Sequence, residues 1–80
     1  MGQLGRAHER RASPDRSLTP RERSVLELVA CGKRNREISE ALQISERTVK
    51  AHITAVFRKL GASNRVEAVK IAGEMGLIQA

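Results

Sequence analysis

Arg47, Lys50, Thr54 and Arg58 recur every three or four residues, with Ala51 set between Lys50 and Thr54. On a helix turning roughly 100° per residue, these five side chains share one face. Guanidinium and ammonium groups only donate hydrogen bonds and are positively charged, and a hydroxyl can also donate. The chemistry of such a row is anion recognition. The solvated outer face of an ordinary amphipathic helix has a similar make-up, so the surroundings of the row must decide between the two. Lys50, near the start of the stretch, can donate to guanine O6 or N7, acceptors that line the major groove of duplex DNA, or it can meet a phosphate or stay solvated. Arg47, Arg58 and Lys59 suit phosphates, whose contacts position a protein without reading sequence. Asn35 and Thr48 can donate to phosphate or serve only as helix caps. His52 can donate to phosphate or pack against its neighbours. Asn64 and Arg65 read as cap and surface residues, with a phosphate contact open to both.

A catalytic constellation is hard to assemble. The run Gly32-Lys33-Arg34-Asn35-Arg36-Glu37 contains Gly-Lys but lacks the earlier glycine and the following Ser or Thr of a phosphate-binding loop. No carboxylate pair shares an apolar face, and no Ser, His and Asp stand in a recognisable context. The chain therefore reads as a non-enzyme with no cofactor and no small-molecule substrate. One cysteine, Cys31, and two distant histidines, His8 and His52, cannot form a structural zinc site.

The charge supports an anionic partner. Fifteen Lys and Arg face nine Asp and Glu, a formal net charge of +6 in 80 residues. That balance puts nucleic acid first and an acidic membrane surface second. Residues 33–37 carry a net +2 and residues 46–60 a net +3, so the excess sits on one loop and on the stretch with the basic row. Residues 1–17 carry a further +2. Phe57 is the single aromatic residue, which disfavours modules that stack unpaired bases. No apolar run reaches membrane-spanning length, and the N-terminus lacks the apolar core of a signal peptide. With one cysteine there is no internal disulfide, which fits a reduced, cytoplasmic compartment.

The basic row needs a helix to carry it, and the sequence supplies one. Val49, Ile53, Val56, Phe57 and Leu60 recur on the opposite face, Ser45 stands at an N-cap position and Gly61 just past the end. The spacing predicts a helix over 46–60 with one face buried. Upstream, Thr19, Pro20 and Glu22 form a capping box with proline at the first helical position. Leu18 is placed to staple the first turn. Val25, Leu28 and Val29 follow at core spacing with Leu26 flanking, and Cys31, read as semi-buried, and Gly32 end the helix. A short helix over 36–42 turns Ile38, Ala41 and Leu42 inward. Gln43 and Ile44 then lead to Ser45, so two helices meet across a three- to four-residue turn, the layout of a helix-turn-helix. A fourth helix opens at Asn64 with Glu67 completing a capping box. Val66, Val69, Ala72 or Gly73, and Met75 run down one side, and Leu77 and Ile78 can fold back onto the core. No run reads as a strand. The expectation is an all-α fold: a compact four-helix domain containing a helix-turn-helix over 18–80, preceded by a flexible basic arm or linker over 1–17. Phosphate contacts by that arm stay open.

The motifs LTPRE at 18–22, VLELVACG at 25–32, NREIS at 35–39, LQIS at 42–45, TVKAHI at 48–53 and RKLGASNRVEAV at 58–69 occur in order. Together they resemble the LuxR-type helix-turn-helix domain, the C-terminal DNA-binding part of quorum-sensing activators and NarL-type response regulators. The resemblance covers 18–78. It implies a third helix in the major groove, with Lys50, Ala51 and Thr54 near base edges. Arg47, Thr48, His52 and Lys59 would lie near the DNA backbone. It also implies a dimer interface on the fourth helix, here Val66, Val69, Lys70 and Gly73. A receiver or ligand-binding domain commonly precedes such a domain, and residues 1–17 are too few to form one. Two departures stand out. Ala51 and Thr54 are short, so they would read DNA mainly through methyl contacts or not at all, and Arg34 stands where the family often has the Ser or Thr that would cap the second helix and pair with Glu37. Either Asn35 takes over the cap or that helix start frays.

The expected function is sequence-specific binding of double-stranded DNA by a bacterial transcriptional regulator, as a homodimer on DNA and with RNA polymerase as a further partner. The alternatives are a protein-interaction or dimerisation module and a sigma-factor-like promoter-binding domain. A membrane-surface role is weak, because little bulky apolar surface remains once the core is made.

Overall fold

Thr19 and Pro20 set where the first helix starts, and the rest of the fold follows from similar stop and start signals. The computed structural model describes residues 18–78, in four helices: α1 (Pro20–Ala30), α2 (Asn35–Leu42), α3 (Glu46–Leu60) and α4 (Arg65–Glu74). The arm expected over residues 1–17 lies outside the described residues.

The caps are local chemistry. The Thr19 hydroxyl accepts from Glu22 N, and Glu22 Oε1 accepts from Thr19 N, closing the reciprocal box. At α3, Ser45 Oγ accepts from Thr48 N at 3.0 Å. The same helix has Glu46 in its first turn and Arg58 and Lys59 in its last, charges that oppose the helix dipole at both ends. Gly61 ends α3 with φ 74°, and Ala62 N donates back to Phe57 O. That left-handed geometry suits a residue without Cβ. At the N-terminus of α4 the box shifts by one residue: Asn64 Oδ1 accepts from Glu67 N, but Glu67 Oε1 accepts from Ser63 N.

Two apolar clusters form the core. Leu18, Leu26, Val56, Leu60, Ala68, Ala72 and Leu77 make one, with Phe57, Ala62, Ile71 and Ile78 packed on it. Val25, Val29, Ile38 and Val49 make the other, with Leu28, Leu42, Ile44, Ile53 and Val69 around them. Helices α1 and α3 feed both clusters; α2 enters the second and α4 mainly the first. Helix α3 packs against each of the other three, whereas the backbones of α2 and α4 stay apart. Each fully buried Leu or Val side chain contributes about 1.5–3 kcal/mol relative to exposure.

Several expected positions move. Leu26 is fully buried and Leu28 only partly, because α1 is wrapped on both flanks and Leu26 reaches the first cluster. Leu18 joins that cluster as well as preceding the cap. Ala41 is exposed rather than inward. Cys31, the C-cap of α1, is exposed rather than semi-buried. On α4 the row read along one side is split: Ala72 is buried and Val69 packs on the second cluster, whereas its ends face out, Val66 80% exposed and Met75 49%, and Ala68, outside that row, is buried beside Ala72. Two alanines let α4 approach closely, which a row of valines would prevent. Leu77 is buried, as its place in the tail suggested.

Candidate nucleic-acid interface

The helix-turn-helix consists of α2, the three residues Gln43, Ile44 and Ser45, and α3. Gln43 caps α2 in the left-handed region at φ 57°, an uncommon conformation for a residue with Cβ. Ile44 packs against the second cluster and so fixes the turn to the core. The start of α3 is thereby held by a cap, a tight turn and an apolar anchor within three residues.

The two faces of α3 separate as the spacing predicts. Val49, Val56 and Leu60 are buried, and Ile53 and Phe57 partly so. Arg47, Lys50, Ala51, Thr54 and Arg58 are exposed. The structure therefore brings together the three expected base-contacting residues and two of the expected phosphate contacts on one open surface. Thr48 is partly buried, and its hydroxyl accepts from Ser45 Oγ at 2.9 Å, keeping its own proton to give.

Lys59 and His52 lie toward α1. Lys59 Nζ meets Glu22 Oε1 at 2.7 Å, with the lysine side chain 27% exposed and the glutamate 9%. The Glu22 oxygen that caps α1 thus also takes the ammonium of α3. Burial pushes the Glu22 carboxyl up. The Lys59 hydrogen bond, the Thr19 amide and the positive charges of Lys59 and His52 together outweigh burial and hold it below the ordinary carboxylate range. Lys59 is an internal strut as well as a candidate phosphate contact. The capping box announces Glu22 as a helix residue, but nothing in local spacing announces a partner 37 residues away.

Neither expected outcome at Arg34 occurs. Helix α2 starts at Asn35, one residue earlier than expected, with Arg34 extended at the N-cap position. Arginine has no acceptor. The start is held instead from the other side, by Glu37 Oε1 accepting from Arg34 N at 2.8 Å. Asn35 does not cap. Its Oδ1 accepts from Arg65 Nη2, while Arg65 Nη1 donates to Lys33 O at 3.1 Å. Arg65, expected as a surface residue, is partly buried in this bridge. Of the residues expected at a dimer interface, Val66 and Lys70 are exposed and Val69 and Gly73 partly buried.

Comparison with known proteins agrees with this architecture. The sequence profile of the GerE family, described as bacterial regulatory proteins of the luxR family, matches residues 16–72. The chain is 42% identical over 67 residues to the response regulatory protein YgeK of Escherichia coli (strain K12), covering 84% of this chain and 46% of that one. It is 46% identical over 67 residues to the transcriptional regulatory protein LiaR of Bacillus subtilis (strain 168), covering 84% and 32%. With the transcriptional activator protein BjaR1 of Bradyrhizobium diazoefficiens it shares 48% over 59 residues, covering 74% and 24%. The chain spans less than half the length of each of these relatives. The profile, the order of the motifs and the four-helix architecture agree: the chain belongs to the luxR family of bacterial regulatory proteins and carries that family's helix-turn-helix domain.

Proposed function

We propose that this chain binds double-stranded DNA in a sequence-dependent manner, with the exposed face of α3 in the major groove. The carrying observation is that the second helix of the helix-turn-helix has a buried apolar face and an exposed face of Arg47, Lys50, Ala51, Thr54 and Arg58. Lys50 donates to base acceptors, and Ala51 and Thr54 offer methyl contacts. Arg47, Thr48, His52, Arg58, Lys59 and Asn35 meet phosphates and set register. The site lies in the cytoplasm of a bacterium, where duplex DNA is found, and the role is regulation of transcription, with RNA polymerase as a further partner.

Two copies pair through α4 on adjacent half-sites. The exposed Val66, with Lys70 and Gly73 in register along the helix and Val69 between them, supports this pairing. An apolar side chain left 80% exposed at the start of a helix costs little alone and gains from burial against a second copy.

The test is selection from a random pool of duplex DNA, followed by titration of the recovered duplex at several salt concentrations. Log affinity should fall linearly with log salt. Chemical-shift changes on adding that duplex should concentrate on the outer face of α3. Salt-independent binding, or shifts that map elsewhere, would refute the proposal.

A further inference from the structure

The backbones of α2 and α4 stay apart, yet their first residues are joined by one side chain. Arg65, the first residue of α4, donates through Nη1 to Lys33 O in the α1–α2 loop and through Nη2 to Oδ1 of Asn35, the first residue of α2. It reaches these acceptors along a groove of about 690 Å³ whose apolar lining includes Val29, Val66 and Val69. A guanidinium carries donors and no acceptor, so the Asn35 amide can face it only with its oxygen. The Asn35 NH₂ is then turned the other way, with both hydrogens available.

We infer that Arg65 is a positioning residue for DNA binding: it fixes the amide orientation of Asn35 so that Nδ2 donates to a DNA phosphate, and it does not itself contact DNA. The inference rests on the DNA-binding reading above and adds the division of labour between the two residues. Without Arg65 the amide can rotate, and the loop carbonyl of Lys33 loses its donor. The donor on Asn35 is neutral, so losing its contact releases no extra counterion.

The experiment uses the full chain and the duplex recovered from the random pool. Arg65→Ala and Asn35→Ala should each weaken binding at fixed salt by roughly tenfold, the scale of one hydrogen bond to a charged group. The double variant should be no worse than either single one. The slope of log affinity against log salt should stay that of the unaltered chain in all three. Asn35→Asp keeps an acceptor for Arg65 but has no NH₂ and adds a negative charge. It should retain the melting temperature and bind worse than Asn35→Ala. In the unaltered chain, the Asn35 side-chain NH₂ resonances should shift when duplex is added, a measurement that needs no variant to fold.

Additive losses, or an Asn35 amide indifferent to duplex, would overturn the inference. So would a slope reduced by about 0.9 in Arg65→Ala, since that means the guanidinium itself holds a phosphate. If the unaltered chain fails to bind any duplex, the DNA-binding reading falls and this inference with it.

Discussion

Glu22→Gln isolates the charge in the ion pair that joins α1 to α3. Glutamine keeps the side-chain length and an oxygen that can accept from both Thr19 N and Lys59 Nζ, so the change is confined to electrostatics. Removing one partner of a fully buried pair costs about 3–5 kcal/mol, and exposed pairs contribute about 0–1 kcal/mol. This pair lies between those limits, because the glutamate side chain is 9% exposed and the lysine 27%. The uncharged amide is also cheaper to bury, which offsets part of the loss. The expected cost is about 1–2 kcal/mol at neutral pH, a large share of the roughly 3–9 kcal/mol that a domain of some 60 residues possesses. At about 4–8 °C per kcal/mol, the midpoint should fall by roughly 4–16 °C.

The sign of the pH dependence follows from the direction of the shift. The Glu22 carboxyl is held below its ordinary range in the folded state. Its contribution is therefore complete above the unfolded value, near 4.3, and is lost as pH falls through the lower folded value. Urea unfolding followed by far-UV circular dichroism, in ~0.5-unit steps from about pH 7 down to about pH 2, would measure this. The gap between the two proteins should be widest at neutral pH and close in acid. A gap that persists unchanged into acid, or one under about 0.5 kcal/mol at neutral pH, would refute the assignment of the stabilisation to the charged pair.

The remaining predictions concern the outer faces. Lys50→Ala should relax discrimination at particular base positions by about 1–3 kcal/mol, read as affinities for single-base variants of the recovered duplex. Arg58→Ala should weaken binding evenly across those variants and lower the salt slope by about 1; equal effects of the two substitutions would contradict their separate roles. Val66→Asp should leave folding within about 0.5 kcal/mol, since the side chain is largely in solvent. Sedimentation and two-half-site titrations should nonetheless show loss of pairing, and unchanged pairing would remove Val66 from the interface. Gln43→Gly should stabilise the domain by up to about 1 kcal/mol, because a left-handed residue with Cβ costs about 1–2 kcal/mol and glycine gives part of that back as chain entropy. A lower midpoint in denaturant would count against strain at φ 57°.

Much of this organisation is legible in the chain because it depends on neighbours. Thr19 with Glu22, Ser45 before α3 and Gly61 after it are signals complete within a few residues, and the helix bounds follow from them. The two faces of α3 are legible for the same reason, since apolar and basic residues alternate at helical period. Helix α4 is less so. It has apolar residues around most of its circumference, and period alone cannot show that Ala68 and Ala72, rather than Val66 and Met75, meet the core. Only the close approach of α1 and α3 decides it. The start of α2 shows the opposite failure: Arg34 marks the loss of a cap, but the compensation comes from the backbone amide of Arg34 itself, donated to Glu37. The Glu22–Lys59 and Arg65–Asn35 pairs join residues far apart in sequence, and spacing carries no signal for either.

The position of α3 at the centre of both clusters has a consequence for how such a protein can change over generations. One side of this helix answers to the fold and the other to whatever it touches outside. Lys50, Ala51 and Thr54 are exposed, so replacements there leave the architecture as it is, and on the proposed function they are where a new preference would be written. The inward residues have no such liberty, because each is shared with at least one other helix. A single rod thus has a constrained spine and an editable edge, and divergence among relatives should accumulate on the edge.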